Sequence, residues 1–578
     1  MRLVIIFAVA LLFWVPLNLM PLPDFPNQFL AVLVVVSFFV FVLIREWKFS
    51  AFSLLWYLFV IYFVLAAFSV AANYSSIRYS LNSYFLAFIV AFLLMFCVSV
   101  WVRKYGRAEV QHTILISIVL SGFGVGVIGL LRHYGLLACV LPWMTVVGER
   151  FVGPWGQPNL TALILVLGVV GWVYWCEQRE RSSLLLTVTG AAFLIYCGTL
   201  TGSRAWLLMM VLVTLVPLIR ALWHLKGIDK LASVASYNKH YWVVFLVFLV
   251  VWPVSGFVDN TISKPLIEAG LLDRKPALEV LERQTDFNDS ARLGEWRSAL
   301  LHLHTMDNIW FGHGVGRYGN YSQNVKLIEK SQSGNGKLWT HPHNVIIMLL
   351  VEMGIIGGGA VILALLALGF WLLKLPMDKR TNALALVVTL LVFQNMVEFS
   401  FWFLPFLLVF VAVLVSLAPI RKLTWSNGLI PKTTGVVVLV VALTTGVLVA
   451  RDYQTLTKVY IEEGRGDVSQ RQIEQIKTSP FLGYAAYETS IVYFNPEEFG
   501  LEARLEKLNE MVEWRPSQAF MLRKASLMAA LGKQGACDQT RNTTWLYPDT
   551  FQPLMRELEF VGAQDYQSCA IKGYMRWL

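Results

Sequence analysis

Residues 339–373 read WTHPHNVIIMLLVEMGIIGGGAVILALLALGFWLL, and this stretch decides the fold class. The run after Asn344 is apolar and longer than the roughly 20 residues that a helix needs to cross a bilayer. Pro342 fits the first turn of a helix, where its missing N–H is not required. We therefore predict a transmembrane helix over His343–Leu373, with two histidines at its polar mouth.

The composition of the 578-residue chain extends this interpretation to most of its length. The chain is 57% hydrophobic and 15% charged, with a mean hydropathy of +0.60, whereas soluble globular chains are roughly 45–50% apolar and about 25% charged. These values exclude an ordinary soluble enzyme, a disordered protein and a small disulfide-rich scaffold. The net charge of +10 does not indicate a nucleic-acid partner, because the basic residues lie in short loops between apolar runs, where they set membrane orientation.

Thirteen segments have the length and apolar character of membrane spans. They predict an all-α fold, a polytopic inner-membrane bundle of about 13 transmembrane helices. The first segment is treated as a retained span, because Pro21, Pro23 and Asp24 follow it without the small-residue cleavage site of a signal peptide. The predicted spans are Leu3–Met20, Phe29–Ile44, Phe52–Ala71, Leu81–Val102, Thr113–Leu131, Asn159–Trp175, Leu184–Leu200, Arg204–Leu222, Tyr241–Val258, His343–Leu373, Asn382–Phe399, Phe403–Ala418 and Thr434–Ala450.

The distribution of Lys and Arg between the loops predicts the orientation. With the N-terminus in the cytoplasm, the cytoplasmic segments hold most of the loop cations. The short outer segments then carry only four arginines: Arg78, Arg132, Arg150 and Arg204. We predict N-terminal transmembrane helices over 1–258, a large periplasmic loop over 259–342, C-terminal transmembrane helices over 343–450 and a periplasmic helical domain over 451–578.

Two of the six cysteines, Cys537 and Cys569, lie in the predicted periplasmic tail. Disulfides form and persist in oxidising compartments such as the periplasm. A disulfide between these two residues is therefore favoured, and two unpaired buried thiols are the alternative.

The two histidines of the quoted stretch, His341 and His343, are the first candidates for chemistry. With His343 and Asn344 in the first turn of the helix, the positive end of the helix dipole favours a neutral imidazole. A neutral imidazole can accept a proton from a hydroxyl nucleophile. Two alternatives stay open: polar residues that only cap the helix, and a zinc site, for which the neighbouring sequence offers no cysteine or acidic cluster.

A second candidate, Arg204, ends the tetrapeptide TGSR at the outer mouth between two predicted spans. An arginine stays charged and can bind phosphate through several N–H donors. An arginine at a helix end can equally extend its guanidinium to the membrane surface for solvation alone. The sequence by itself does not separate these two roles.

Two motifs lie in the outer loop. DSARLGEWR, residues 289–297, opens a stretch from Ser290 to Met306 that has the pattern of an amphipathic helix. Arg292 and Trp296 lie on one face of it, because they are four residues apart. WFGHGVGR, residues 310–317, matches neither a Walker A loop nor a dinucleotide fingerprint, and we interpret it as a turn. Two further arginines of these motifs are candidate substrate-binding residues: Arg297 and Arg317.

A fourth motif, RFVGPWGQPN, covers residues 150–159. Its Gly and Pro residues predict an irregular loop that brings Arg150, Gln157 and Asn159 to the mouth of a span, although a plain re-entrant turn would have the same composition. Glu398, near the outer end of the eleventh span, is a further candidate for this group. Glu352 lies deeper and could instead pair with another helix.

The order and spacing of these motifs resemble a known family. FVGPWGQPN, TGSRAW, SARLGEWRSAL with FGHGVGRYG, and HPHNVIIMLLVEMGIIGG look like the bacterial protein O-oligosaccharyltransferases of the PglL type, in the O-antigen ligase and O-antigen polymerase superfamily. The resemblance runs from Arg150 to Pro405, and the tail resembles the C-terminal helical region of that group less specifically. Relatives often carry Val-Glu-Tyr where this chain has Val397-Glu398-Phe399, so a tyrosine hydroxyl is missing there.

The resemblance implies a reaction and a set of roles. Such enzymes transfer a preassembled glycan from undecaprenyl pyrophosphate to a Ser or Thr hydroxyl of a periplasmic protein, often a type IV pilin, without a metal ion or other cofactor. The partners would be the lipid-linked donor, the acceptor protein and membrane lipid. His343 corresponds to the essential histidine, with His341 as the fallback. Arg204 and Arg292 correspond to essential arginines, and Gln157 corresponds to a conserved glutamine.

Two other functions fit part of this pattern. A lipid A-core:O-antigen ligase or an O-antigen polymerase would use the same donor with another acceptor, and the large polar tail favours a protein acceptor. A transporter or flippase of lipid-linked sugars would also have many spans. Against it, the sequence shows no repeated halves, and its polar clusters crowd one face of the membrane.

Overall fold

The computed structural model describes residues 2–16, 22–46, 48, 51–53, 55–72, 78–138, 141, 150–179, 184–224, 239–272, 291–306, 308–329, 339–422, 429–462, 467–479, 481–493 and 500–575. In these residues the chain forms α-helices, short 3₁₀ turns and one pair of three-residue strands. Helices dominate because an apolar segment in a bilayer must satisfy each backbone N–H and C=O group internally.

Most of the apolar helices lie in the N-terminal half. They are α1 (Arg2–Trp14), α2 (Phe25–Arg45), α3 (Leu55–Ala72), α4 (Arg78–Tyr105), α5 (Arg107–His133), α6 (Pro158–Glu177), α7 (Leu184–Leu200), α8 (Arg204–His224) and α9 (Lys239–Glu268). The strand β1 (Ala51–Ser53) lies between α2 and α3.

The second half alternates between outer-loop, apolar and tail helices. They are α10 (Ala291–Leu301), α11 (Tyr318–Glu329), α12 (Val345–Lys374), α13 (Lys379–Val397), α14 (Leu404–Leu417), α15 (Leu429–Ile461), α16 (Asp467–Ile476), α17 (Gly483–Tyr493), α18 (Leu501–Trp514), α19 (Gln518–Ala530), α20 (Ala536–Leu546), α21 (Phe551–Phe560) and α22 (Gln567–Tyr574). The strand β2 (Ile420–Lys422) follows α14.

Each of the thirteen predicted spans overlaps an apolar helix in the described part of the chain. The third begins with Phe52 and Ser53, which belong to β1 instead. Among the described residues, nine helices are long and apolar enough to cross a membrane, and α1, α3, α7 and α14 are shorter. The chain is thus an all-α, multi-pass membrane protein, and the count of 13 crossings stays a prediction. Residues 17–20, at the end of the first predicted span, lie outside the described residues.

The helix of the ninth predicted span is longer than expected, because α9 runs past Val258 to Glu268. Asp259, which the sequence analysis placed at the start of the outer loop, therefore lies within a helix. It is fully buried, and its Oδ1 lies 2.9 Å from Nε2 of His133 at the end of α5. A buried carboxylate is tolerated inside a helix when a partner compensates it, and this partner is 126 positions away in the sequence.

The chain divides into two compact units. Unit 1 comprises residues 1–59, 89–288 and 365–444, and unit 2 comprises residues 60–88, 289–364 and 445–578. Unit 1 thus holds most of the apolar helices, and unit 2 holds the described helices of the outer loop and of the C-terminal tail.

Polar contacts at one end of unit 1 join helix ends that the predicted topology places in the cytoplasm. Arg107, at the start of α5, donates to the carbonyls of Leu417 and Ala418 after α14, at 2.9 and 2.8 Å. Lys379, at the start of α13, donates to the carbonyl of Glu177 at the end of α6, at 2.7 Å. β1 pairs antiparallel with β2, so the loop after α2 meets the loop after α14.

At the other end of unit 1, the contacts join helix ends that the topology places outside. Gln28 Nε2 donates to the carbonyl of Trp402 at 2.6 Å, and Arg132 Nη1 donates to the carbonyl of Gly153 at 2.9 Å. The buried pair of His133 with Asp259 lies at this end too. Each of these contacts joins helix ends that the predicted topology places on the same side of the membrane. The contacts therefore agree with the predicted order of crossings in unit 1.

Unit 2 packs a helix of the outer loop against the tail. The apolar core of α18, α19 and α20 contains Leu505, Leu508, Met511, Phe520 and Trp545. Leu327 of α11 packs on this core, and Asn320 Nδ2 of the same helix donates to the carbonyl of Val512 at 3.5 Å. The loop helix and the tail therefore belong to one compact unit.

A disulfide bond joins Cys537 to Cys569 across 32 positions of sequence and links α20 to α22. The predicted disulfide is thus confirmed, and the alternative of two unpaired buried thiols is wrong. A smaller apolar core includes Leu554 and Leu558 of α21 and Ala570 of α22. The covalent bond thus holds together the last helices of the tail.

Candidate functional site

The histidine box, residues 339–344, lies at the start of α12 in unit 2. Asn344 caps this helix, because the backbone N–H groups of Ile346 and Ile347 donate to its Oδ1 at 3.0 and 3.1 Å. The helix therefore begins at Val345, directly after Asn344. The sequence analysis placed His343 and Asn344 in its first turn, and the structure places both before the helix. The physical reason is the strong preference of asparagine for the N-cap position.

His343 has a left-handed backbone, with φ at +53°, and is the one non-glycine residue with positive φ in the part of the chain that the structure describes. Residues with a Cβ avoid this region, so the surrounding structure has to hold it. The imidazole centroid of His343 lies 4.2 Å from that of His341 and 5.5 Å from the ring of Trp339, both edge-on. The box therefore presents two imidazoles and an indole as one group.

The indole of Trp296 binds α10 to the histidine box. Its Nε1 donates to the carbonyl oxygen of Pro342 at 2.6 Å. Arg292 is half-buried and lies one turn earlier on α10, on the face of Trp296 that the spacing predicted. The structure thus brings the helix that carries Arg292 to the loop that carries His343.

Glu295, the neighbour of Trp296, joins α10 to α11. It is 3% exposed, and its Oε1 accepts hydrogen bonds from the hydroxyls of Tyr318 at 2.9 Å and Ser322 at 2.7 Å. Burial raises the pKa of Glu295, and the nearby Lys326 and the two hydrogen bonds offset this only in part. Burial likewise lowers the pKa of Lys326. α10 is therefore held by a buried polar network as well as by Trp296.

α12 is not the continuous helix that the sequence predicted. Gly354 interrupts it with φ at +68° and ψ at −168°. A helix break leaves backbone groups without intrahelical partners, and the outer loop supplies those partners. The donors are the N–H groups of His313, Gly314, Ile355 and Ile356, and the acceptors are the carbonyls of Val351, Glu352, Ile309 and Trp310 respectively, at 2.7 to 3.2 Å.

The glycine motif of the outer loop is a turn, as predicted, since Gly312, Gly314 and Gly316 all have positive φ. Its insertion against a broken helix was not predicted. The carboxylate of Glu352 accepts hydrogen bonds from the backbone N–H groups of Tyr318, at 3.3 Å, and Gly316. Glu352 therefore binds this turn. The sequence analysis had suggested that it could pair with another helix instead.

The remaining arginines of the outer loop have separate surroundings. Arg297 is exposed on α10. Arg317 follows the glycine turn, and its Nε donates to the carbonyl of Glu513 in α18 at 3.4 Å. Arg317 thus connects the glycine turn to the C-terminal helices of unit 2.

In unit 1, residues 150–159 form a polar network with the ends of two helices. Arg150 donates through Nε to the carbonyl of Thr201 at 2.7 Å and through Nη2 to Oδ1 of Asn159 at 3.3 Å. Asn159 Nδ2 in turn donates to Oε1 of Glu398, which is 4% exposed. The structure therefore brings together three of the residues that the sequence singled out, two from residues 150–159 and Glu398 from the end of α13.

The TGSR turn packs beside this loop. Arg204 is half-buried and is the first residue of α8, directly after a turn in which Gly202 has φ at +61°. The N–H of Phe151 donates to the carbonyl of Leu200 at 2.9 Å, next to the bond between Arg150 and Thr201.

Gln157 has a structural task in the same loop. Its Oε1 accepts a hydrogen bond from the backbone N–H of Leu160 at 2.8 Å and so caps α6. The sequence placed Gln157 at the mouth of a span, and the structure places it at the N-cap of that helix. Among the residues that the structure describes, no three His, Cys, Asp or Glu side chains are grouped so that they could hold a metal ion.

Comparisons with known proteins match parts of the chain that hold several of these motifs. A family model described as O-antigen ligase matches residues 189–362, and a model described as the C-terminal part of a virulence factor membrane-bound polymerase matches residues 382–556. The chain is 24% identical over 353 residues to a general O-oligosaccharyltransferase of Acinetobacter baylyi. The aligned region covers 59% of this chain and 56% of that relative, so the chain spans little more than half of the relative's length. No solved structure matches. The first family model includes Arg204, Arg292 and His343, so over the residues that hold these candidates the chain is similar to the O-antigen ligase family.

Proposed function

We propose that the protein is a glycosyltransferase that moves a preassembled glycan from undecaprenyl pyrophosphate to a Ser or Thr hydroxyl of a periplasmic protein. The observation that carries this proposal is the histidine box. His343 is held in a left-handed backbone at the mouth of α12, and Trp296 binds the helix of Arg292 to the same loop. The A. baylyi relative named a general O-oligosaccharyltransferase supports the reaction class.

The chemistry of this transfer needs two kinds of protein group. The bond between the anomeric carbon and the pyrophosphate oxygen breaks, and a bond from that carbon to the acceptor oxygen forms. The pyrophosphate leaves with additional negative charge, which arginine guanidinium groups stabilise. The acceptor hydroxyl loses its proton, and a neutral imidazole is a suitable base.

We assign the base to His343, with His341 as the second candidate, because the centroids of the two rings are 4.2 Å apart in the box. Arg292 is assigned to the pyrophosphate, and the same role is proposed for Arg204 from its place in the TGSR turn. The proton taken by the imidazole is later released to water. No metal ion or other cofactor enters this scheme.

The polar network of unit 1 suits glycan binding. Arg150, Asn159 and Glu398 offer donors and acceptors of the kind that sugar hydroxyls pair with. Asn344, in the histidine box of unit 2, is proposed separately as a substrate-binding residue. Gln157 would contribute through its amide nitrogen, because its Oε1 caps α6. Arg297 and Arg317 remain proposed contacts of the substrate, Arg317 at the side of the C-terminal helices.

The proposed location is the bacterial inner membrane, with the N-terminus in the cytoplasm and the chemistry at the periplasmic face. The loop charges support this orientation. We propose that the C-terminal helices of unit 2 bind the acceptor protein, for which a pilin-like protein is the candidate. Their packing with α11 supports this role, because the outer loop that carries the histidine box belongs to the same unit.

Transfer in vitro tests the proposal. The purified protein, in lipid nanodiscs, is incubated with an undecaprenyl-pyrophosphate-linked glycan and a periplasmic acceptor protein, and the intact mass of the acceptor is followed. We expect a gain of one glycan mass, and at least about a 100-fold lower rate for His343→Ala. His304→Ala is the matched control, because His304 is exposed in the same loop, and its rate should stay within about twofold of wild type. Full activity of His343→Ala would remove the assigned base.

A ligase or polymerase acting on a glycolipid is the second candidate function, because the first family model is described as O-antigen ligase. The donor, the base and the arginines would be the same, and only the acceptor would differ. The same preparation offered lipid A-core in place of protein separates the two. Transfer to lipid A-core without transfer to any protein acceptor would favour the second function.

A further inference from the structure

The hydrogen bond from Trp296 to Pro342 acts on the backbone of a catalytic candidate. The carbonyl of Pro342 and the N–H of His343 belong to one planar peptide unit. Fixing the direction of this carbonyl therefore fixes the plane from which the φ angle of His343 is measured. At 2.6 Å from the carbonyl oxygen, the indole nitrogen of Trp296 fixes that direction.

The conformation so fixed is one that His343 would not hold by itself. Its φ of +53° is unfavourable for a residue with a side chain. Such a conformation persists only where the surroundings over-determine it, and these positions concentrate at functional sites. Two constraints act on this loop. Asn344 caps α12 on one side of His343, and Trp296 holds the peptide on the other side.

Trp296 is itself firmly placed. Its neighbour Glu295 is buried and accepts two hydrogen bonds from α11, and Tyr321 of α11 donates to the carbonyl of Ala299 at 2.7 Å. The position of α10 is therefore set by its hydrogen bonds to α11 and does not depend on the histidine box. The direction of the Trp296 indole is set by this support, and the peptide of Pro342 adapts to it.

We propose that Trp296 is a positioning residue for the transfer reaction: its indole N–H holds the Pro342–His343 peptide so that the imidazole of His343 faces the acceptor hydroxyl. This inference rests on the proposed function of His343 as base. Trp296 makes no bond to substrate in this scheme and acts only through His343. Its loss should therefore lower the rate of transfer and leave donor binding unchanged.

Trp296→Phe tests this role, because phenylalanine keeps an aromatic ring and lacks the N–H donor. We expect kcat to fall about 10- to 100-fold, since small displacements of a reacting group cost rates of this order. KM for the lipid-linked glycan and the unfolding temperature should stay near wild type. Trp310→Phe is the matched control in the same loop, because that ring is 59% exposed, and its kcat should not change. Trp296→His keeps a ring N–H and should retain more activity than Trp296→Phe.

A double-mutant cycle separates positioning from a general structural role. Rates are measured with enzyme in excess over donor, so that the residual transfer by His343→Ala can be resolved. If Trp296 acts through His343, the variant Trp296→Phe/His343→Ala is no slower than His343→Ala alone. If Trp296→Phe lowers the rate equally in both backgrounds, the inference is overturned and the proposed function is unaffected. The same conclusion holds if Trp296→Phe leaves kcat unchanged while His343→Ala is strongly impaired. Full activity of His343→Ala overturns both.

Discussion

Gly312 and Gly354 lie backbone against backbone, with no room for a side chain on either residue. A Cβ on Gly312 would approach the backbone of Glu352 and the nitrogen of Gly354 to 2.5 Å, and a Cβ on Gly354 would approach the carbonyl carbon of Trp310 to 2.4 Å. Both residues have positive φ. The broken helix and the glycine turn therefore fix each other, and the half of α12 that follows the histidine box ends at this contact.

Gly354→Ala should separate the turn from the helix. The new Cβ meets backbone atoms that cannot rotate away, and alanine disfavours the positive φ, so we expect a loss of about 3 kcal/mol or more in stability. Because His343 is at the other end of the same half-helix, transfer activity should fall as well. Thermal unfolding in detergent and the intact-mass transfer assay measure the two effects.

Gly359→Ala is the control for this substitution. Gly359 is also in α12. Apart from its chain neighbours and the backbone of its own helix, no described atom lies within 4 Å of its added Cβ. Alanine there should leave the unfolding temperature unchanged or raise it slightly, because alanine is the better helix former. An equal decrease for both variants would mean that the contact between Gly312 and Gly354 contributes no specific stability.

The break at Gly354 also shows where sequence patterns are insufficient. The run VIIMLLVEMGIIGGG is compatible with a continuous span, and one glycine in an apolar helix is common in membranes. The break is tolerated only because backbone groups from residues 309–314, distant in sequence, complete its hydrogen bonds. No local pattern encodes that compensation, and the same applies to Asp259, whose partner His133 is on another helix.

What the sequence did predict depends on periodicity and on apolar length. The positions of the thirteen apolar helices follow from segment hydropathy, because an apolar segment in a bilayer satisfies its backbone groups internally as a helix. The common face of Arg292 and Trp296 follows from helical spacing. The sequence analysis grouped Glu398 with Asn159 because both lie near the predicted outer ends of spans. The structure confirms that the two side chains are in contact. Their catalytic or binding roles stay predictions.

A charge exchange tests the pair of Asn159 and Glu398. Asn159→Asp places a second carboxylate against the buried one, and like-charge repulsion at close range should cost about 2 kcal/mol or more. Adding Glu398→Gln restores a donor–acceptor pair with the direction reversed, and Arg150 can still donate to Asp at position 159. The double variant should therefore unfold at a higher temperature than Asn159→Asp alone. A double variant no more stable than the single one would show that the contact does not control local stability.

The disulfide of the tail should contribute measurably to the stability of unit 2. A bond that closes a loop over 32 positions is expected to contribute about 3 to 4 kcal/mol by the chain-entropy relation. The variant Cys537→Ala/Cys569→Ala should lower the unfolding temperature of the full-length protein. Dithiothreitol should do the same to wild type and have no further effect on the double variant. An effect of the reductant on the double variant would point to a second disulfide bond in the protein.

The buried Glu295 predicts a pH dependence for the support of Trp296. Its pKa in the folded protein is raised above the ordinary value of 4.5, with burial as the main cause. Between the two pKa values the folded state holds a proton that the unfolded state has released. The contribution of Glu295 to stability therefore decreases as the pH rises above about 4.5 towards the raised pKa.

Glu295→Gln isolates this contribution, because glutamine keeps an acceptor oxygen for Tyr318 and Ser322 and does not titrate. The unfolding temperature of wild type minus that of Glu295→Gln should decrease from pH 4.5 towards neutrality. The other charged groups at this site, Lys326 and Glu329, are present in both proteins, so their own titration largely cancels in the difference. A difference that stays constant, or that increases with pH, would mean that burial does not dominate over the attraction of Lys326. The loop that holds His343 would then be supported by an ion pair instead of a protonatable carboxyl group.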